Sequence, residues 1–186
     1  MKSIDDVYWE VYGIIRAIER TNISREEICL RLAKILPNQS IDSIGYNLLH
    51  DCLLVYSDDY KEFFYQYFKD FKLDEKNKDD LASVSSAWYL IKNELLNGRP
   101  LEERKKLYWH VLSSLKSLRS ISALVTRAII NKDNEIITFL EEKILEDSFN
   151  SKNYTQIYNF ALSLFKYSNE AAFNFVNKFI IKAGTH

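Results

Sequence analysis

Six pairs of adjacent acidic residues form the commonest arrangement in this sequence that could carry chemistry. Two neighbouring carboxylates can act as a general acid and base, or can hold a metal ion. The pairs are Asp5-Asp6, Glu26-Glu27, Asp58-Asp59, Asp79-Asp80, Glu102-Glu103 and Glu141-Glu142. Five of the six fall in the first turn of a segment with helical apolar spacing, where the helix dipole stabilises negative charge. We therefore interpret them as helix starts and predict no catalytic residue among them.

Residues that commonly cap helices support this interpretation. Ser3, Ser24 and Ser57 precede three of the acidic pairs at the N-cap position, where a hydroxyl can accept a hydrogen bond from a backbone N–H. The stretch 24–27 reads Ser-Arg-Glu-Glu, which has the form of a capping box. Pro100 precedes Leu101 at another expected start, where the missing N–H of proline costs nothing.

Nucleophilic catalysis needs a base beside the nucleophile, and the candidate bases here are three histidines and the candidate thiols two cysteines. His186 is terminal, whereas His50 and His110 lie inside apolar-periodic segments. Cys52 is two positions from His50, so on a helix their side chains point apart. A pair between His50 and Cys29 stays conceivable. We predict structural histidines and two buried free thiols in a reducing cytosol.

Sites for metals and nucleotides have recognisable spacings that this sequence does not contain. It has no His-Glu-x-x-His, Glu-x-x-His or Cys-x-x-Cys motif, and its four scattered glycines form no phosphate-binding turn. We therefore predict no metal site, no cofactor and no enzymatic activity.

A basic segment and an acidic segment offer two alternative binding surfaces. Residues 99–127 hold seven basic residues against two acidic ones, although the formal net charge of the chain is −1. Arg104, Lys105 and Lys106 form the densest part and could contact phosphates or an acidic partner. The simpler interpretation is a solvated helix face. The net charge of the whole chain argues against nucleic acid as a partner.

The acidic segment, residues 133–147, holds six acidic residues and one lysine. On a helical wheel the apolar residues Ile136, Ile137, Leu140 and Ile144 form the buried side, and the opposite side reads Glu135, Phe139, Glu142, Glu146. An aromatic ring framed by carboxylates has the makeup of an anchor for a basic protein partner. The alternative is that Phe139 packs against a neighbouring helix. We take these four residues as the candidate partner-binding site.

The stretch VYSDDYKEFFYQYFKDF, residues 55–71, carries eight aromatic rings. Helical spacing puts Tyr60, Phe63, Phe64, Tyr67, Phe68 and Phe71 on one face and charged residues on the other. Because the charges are of mixed sign and lie opposite the rings, packing is favoured over membrane or base-stacking surfaces. We predict that these rings form part of the core.

The same periodicity predicts an all-α protein with about ten helices, which agrees with a chain so poor in glycine and proline. The expected helices are 4–20, 25–36, 41–55, 58–72, 79–96, 101–118, 120–131, 134–146, 154–166 and 169–182. We expect a single domain over residues 1–186, with a possible subdomain break near 73–80 and a second clear break at 97–100. The antiparallel hairpins could form an irregular bundle or a short HEAT-like α-solenoid.

A faint internal repeat supports the solenoid alternative. YSDDYKEFF, residues 56–64, aligns with YSNEAAFNF, residues 167–175, and residues 128–145 align with 163–180. Each copy is expected to be a helix, a capped polar turn and a second helix.

The chain resembles the immunity proteins of bacterial contact-dependent toxin systems. The features that carry the resemblance are these repeated units, the acidic residues along 135–146 and a composition rich in Lys, Asn, Ile, Tyr and Phe. The resemblance is one of type across the whole chain. It implies a cytoplasmic protein that binds a basic toxin domain, such as a nuclease, and blocks it. The acidic first residues and the lack of a long apolar run also favour the cytoplasm over secretion or a membrane. A nucleic-acid-binding regulator and a helical adaptor stay open as alternatives.

Overall fold

The computed structural model describes residues 4–41, 43–69, 81–114, 118–152 and 154–184. These residues form ten α-helices and one short 3-10 helix, Leu36–Asn38, and they contain no strand. The α-helices are α1 Ile4–Glu19, α2 Arg25–Ile35, α3 Ile44–Ser57, α4 Lys61–Lys69, α5 Leu81–Lys92, α6 Leu101–Ser114, α7 Leu118–Ile130, α8 Asn134–Ser151, α9 Thr155–Phe165 and α10 Asn169–Gly184. The all-α prediction is confirmed.

The chain divides into two compact units, Met1–Leu96 and Asn97–His186. The boundary coincides with the break expected at 97–100, where Gly98 adopts a φ of +77° that is unfavourable for residues with a Cβ. The break expected near 73–80 lies outside the described residues.

Aromatic rings from α4 and α5 form the centre of the first unit. Phe64 and Phe68 are buried, and the ring of Phe68 lies 4.2 Å from that of Tyr89, centroid to centroid. Phe64 meets Tyr89 edge to face at 5.8 Å, a geometry that aromatic pairs favour. Phe64 and Phe68 are therefore core residues, as expected, whereas Tyr60, Phe63 and Tyr67 of the predicted face are only half-buried. Tyr65, which the spacing did not place on that face, is buried, and Phe71 lies outside the described residues.

The second unit is built around α9, which packs against α7, α8 and α10. Phe160 of α9 and Phe175 of α10 are both fully buried with ring centroids 4.5 Å apart. The hydroxyls of Ser163 and of Ser122 on α7 are hydrogen-bonded to each other at 2.8 Å. α6 packs against α8 on another side of this unit. The core thus depends on α9 being apolar over most of its circumference.

One of the predicted N-cap serines is confirmed and another is wrong. Ser24 caps α2, because its hydroxyl accepts a hydrogen bond from the Glu27 N–H at 3.2 Å. Ser57 does not cap α4. Its hydroxyl donates to the Leu54 carbonyl at 2.8 Å, since α3 continues through Ser57 and α4 begins only at Lys61. Ser3 lies outside the described residues.

This difference bears on the internal repeat. Ser168 occupies the position equivalent to Ser57, and its hydroxyl does accept from the Ala171 N–H at 3.2 Å at the start of α10. The pair Asp58-Asp59 lies in the turn between α3 and α4, whereas Asn169-Glu170 already belongs to α10. The two aligned stretches are therefore not equivalent in local structure.

We predict that Ser24→Ala lowers the free energy of unfolding by about 1 kcal/mol, because the Glu27 N–H loses its acceptor. Ser57→Ala is the matched control in the same unit and should cost clearly less, because no helix start depends on that hydroxyl. Urea denaturation of both variants measures the two changes. An equal loss would contradict the assignment of the caps.

Candidate functional site

The acidic face of α8, defined here as Glu135, Phe139, Glu142 and Glu146, is held in place by the way α8 begins and packs. Asp133 caps the helix, because its side chain accepts from the Ile136 N–H at 3.2 Å. Ile136, Leu140 and Ile144 are buried, as the periodicity predicts, and Ile137 is half-buried. The three glutamates of the face are exposed and Phe139 is half-buried. The helix therefore turns three carboxylates toward solvent along one side.

Arg104 of α6 connects the predicted basic surface to the start of this face. Its guanidinium donates to Asp133 at 2.8 Å and to Glu135 at 2.7 Å, and it also donates to the Arg99 carbonyl. The side chains of Arg104 and Asp133 are only 13% and 12% exposed. Burial works against the positive charge, but the bonds and charges of Asp133 and Glu135 outweigh it and raise the pKa of Arg104.

Lys105 and Lys106 behave differently from Arg104. The Lys105 ammonium lies 5.9 Å from the centre of the Phe139 ring and 3.0 Å from a Glu102 carboxylate oxygen. Lys106 is exposed. Two of the three basic residues thus contact residues of the acidic face. The two surfaces that the sequence presents as alternatives lie side by side, and their charges offset each other around Glu135 and Phe139.

In the C-terminal half of the acidic face, neighbouring basic residues compensate less of the negative charge. Glu146 accepts from the Lys143 ammonium at 2.9 Å, and this bond lowers the pKa of the Glu146 carboxyl. Lys143 also lies 5.6 Å from the centre of the Trp109 ring. Within the part of the chain that the structure describes, Glu142 makes no ion pair. Glu142 and Glu146 are therefore less compensated than Glu135, although Glu135 is at least as exposed as Glu146, at 63% against 56%.

Glu141, the neighbour of Glu142, has a structural role. Its carboxylate is buried and accepts from the Lys178 ammonium of α10 at 2.5 Å. This ion pair ties α8 to the last helix, so the acidic pair Glu141-Glu142 contributes one residue to packing and one to the surface.

The buried imidazole of His50 resembles a structural histidine more than a catalytic base. Its ring stacks on Tyr46 and meets the edge of Tyr89, at centroid distances of 6.0 and 5.7 Å. Nε2 lies 3.2 Å from the amide nitrogen of Asn93, which can only donate, so Nε2 accepts. Nδ1 then carries the proton and donates to Asp51 at 3.1 Å. Both ring nitrogens are engaged by these two neighbours.

Cys29 and Cys52 are buried free thiols, as predicted. Burial raises the pKa of Cys29 to about 11, and burial also raises the pKa of Cys52. A thiol in this state is a poor nucleophile, because the reactive form is the thiolate.

Metal binding and membrane insertion were each searched for over the described residues. No group of three His, Cys, Asp or Glu side chains there is placed to hold a metal ion. No described helix combines the length and the apolar character needed to cross a bilayer.

One exposed surface is not anticipated by the sequence reasoning. Tyr154, Tyr158, Leu162 and Phe165 lie on one side of α9 and are exposed to solvent; we call them the α9 stripe. A signal for it exists, because residues 155–165 contain no charged side chain. Since the apolar residues of α9 cover more than half of its circumference, however, the sequence alone does not show which part of them is left uncovered.

No protein-family model matches this chain, and no curated protein or solved structure shows significant similarity to it.

We predict that Arg104→Met lowers the free energy of unfolding by about 2 kcal/mol, because Asp133 is left partly buried without its charged donor. Lys105→Met, one residue further along α6, should cost less than about 1 kcal/mol, since its ion pair with Glu102 is more exposed. Chemical denaturation compares the two variants. Equal losses would show that the hydrogen bonds of Arg104 contribute no more to stability than the exposed ion pair of Lys105.

For the thiols, we predict slow reaction with a disulfide reagent such as DTNB in the native protein. A shift of the Cys29 pKa from 9.0 to about 11 lowers its thiolate fraction near neutral pH by roughly 100-fold. In denaturant both thiols should react at the rate of an ordinary cysteine. A native thiol that reacts at that same rate would contradict the burial and reopen the pairing of His50 with Cys29.

Proposed function

We propose that this chain is a non-enzymatic protein-binding module, and specifically an immunity protein that binds and blocks a bacterial toxin. The observation that carries the proposal is the acidic face of α8. Glu135, Glu142 and Glu146 lie along one solvent-exposed side of a helix that starts from a capped end, with the half-buried Phe139 among them. Such a face is suited to a partner whose contact surface is basic.

The contact would centre on Glu142 and Glu146 rather than on the whole face. Arg104 holds Glu135 and Asp133, so this end of the face has little charge left to offer. Lys143 holds Glu146 through an exposed ion pair, with side chains 37% and 56% exposed. Exposed pairs of this kind contribute little to stability, so a lysine or arginine of the partner can replace Lys143.

The mechanism would be steric and electrostatic blockade. A toxin that acts on nucleic acid needs a basic cleft for the phosphates of its substrate. Carboxylates on a rigid helix can occupy such a cleft and exclude the substrate, and opposite charges would speed the encounter at low salt.

The alternative of a nucleic-acid regulator has less support from the geometry. Arg104 is mostly buried in its bonds to Asp133 and Glu135, and Lys105 lies near Glu102. Phosphate contacts by these residues would require breaking bonds within the protein. A helical adaptor would differ from the proposed function only in the identity of its partner.

The proposal predicts that charge reversal on α8 abolishes binding. The chain is co-expressed with the product of the adjacent gene, and survival of the cells and the affinity of the purified pair are measured. Glu142→Lys with Glu146→Lys should weaken binding at least roughly 100-fold and remove protection, because the partner then meets like charge.

Glu26→Lys with Asp58→Lys serves as the control, since both residues are exposed on the first unit and the change in net charge is the same. The control variant should keep its protection. Equal protection by both double variants would exclude the α8 face. A neighbouring product that is neither toxic nor bound would refute the immunity proposal itself.

A further inference from the structure

The α9 stripe is unusual for a helix that faces water. Tyr158 is 62% exposed, Leu162 42%, Phe165 39% and Tyr154, directly before the helix, 49%. Helices at the surface of a globular protein normally place charged or polar residues on the outer side. Here four large side chains that are wholly or mainly apolar lie on the outer side, next to an uncharged polar strip that contains the exposed Thr155.

The stripe is continuous with α10 at both of its ends. The rings of Phe165 and Phe173 are 5.5 Å apart, and Phe173 is itself 60% exposed. At the other end Tyr154 lies 5.8 Å from Phe179, again measured between ring centres. The exposed surface therefore belongs to the α9–α10 hairpin as a whole rather than to isolated side chains.

The size of this surface fits one half of a protein interface. Four of the five exposed side chains are aromatic, and each can bury about 150–250 Å². At roughly half exposure, the five together present about 500 Å² of apolar area. A standard interface buries about 800 Å² per partner, of which the centre is apolar and the rim polar. The stripe has the area of such a centre.

We propose that the α9 stripe is covered by the α9 stripe of a second copy of this chain, with the two helices antiparallel about a two-fold axis. The register is self-complementary. Tyr158 and Leu162 are each two positions from position 160, and Tyr154 and Phe165 are six and five positions from it. An antiparallel pair centred there places each Tyr158 opposite the partner's leucine and each Tyr154 opposite the partner's phenylalanine.

Charge also favours a second copy as the occupant. A two-fold interface brings the same patch of both molecules together, so any net charge on the patch repels itself. Residues 155–165 carry no charge, and the stripe therefore meets its copy without this penalty. The acidic face of α8 could not do so. Self-association through α9 is thus separate from the proposed binding of a toxin, and either can fail without the other.

Sedimentation equilibrium of the purified chain tests this inference. The wild-type chain should approach twice 22.0 kDa as its concentration rises. Tyr158→Glu with Leu162→Glu should raise the dissociation constant at least roughly 100-fold, because four buried carboxylates would then face each other. Glu26→Gln, an exposed change in the first unit, should leave the dissociation constant unaltered.

Footprinting of the wild-type chain provides a second test that does not depend on any variant folding. Hydroxyl radicals should label Tyr154 and Tyr158 less as the protein concentration rises, while labelling of the exposed Tyr12 in the first unit stays constant. A chain that keeps the mass of one copy at its highest soluble concentration overturns the inference, whatever else the stripe binds. So does a dimer in which the labelling of Tyr154 and Tyr158 is unchanged.

Discussion

The hydrogen bonds from Arg104 to Asp133 and Glu135 fix how α6 meets the start of α8 in the second unit. Asp133 both caps α8 and accepts from Arg104, so one carboxylate fixes where α8 begins and how it meets α6. Because charged and largely buried groups need each other as partners, this contact constrains both helices. Because Asp133 and Glu135 are occupied by Arg104, this contact also determines which charged groups of the unit are available to a partner.

Electrostatics within the second unit therefore differ from what the local charge counts indicate. Arg104 and Lys105 of the positively charged segment contact Asp133, Glu135 and Phe139 of the negatively charged one, so charges of opposite sign offset one another where α6 meets α8. The carboxylates with the least internal compensation are Glu142 and Glu146, and they lie on the same unit as the uncharged α9 stripe. The two surfaces differ in chemistry, and so each suits a different kind of partner.

Local rules predicted most of the fold. Helical periodicity located ten helices, and the capping box at Ser24 located one start, because these signals depend on residues three or four positions apart. The prediction that Ser57 caps α4 was wrong, because a serine caps a helix only where that helix begins, and Ser57 still belongs to α3. Arg104 and Glu135 are 31 positions apart, and no pattern in the sequence pairs them. Nor does periodicity show which side of the apolar α9 its neighbours leave open.

The connection at Asn97 and Gly98 separates the residues of the two aromatic cores completely. Tyr89, Phe64 and Phe68 belong to one side of it and Phe160 and Phe175 to the other. A recombination event at this point would transfer a whole core without dividing it. Each half of the gene accordingly encodes one complete aromatic core, and the codons for Asn97 and Gly98 lie between the two.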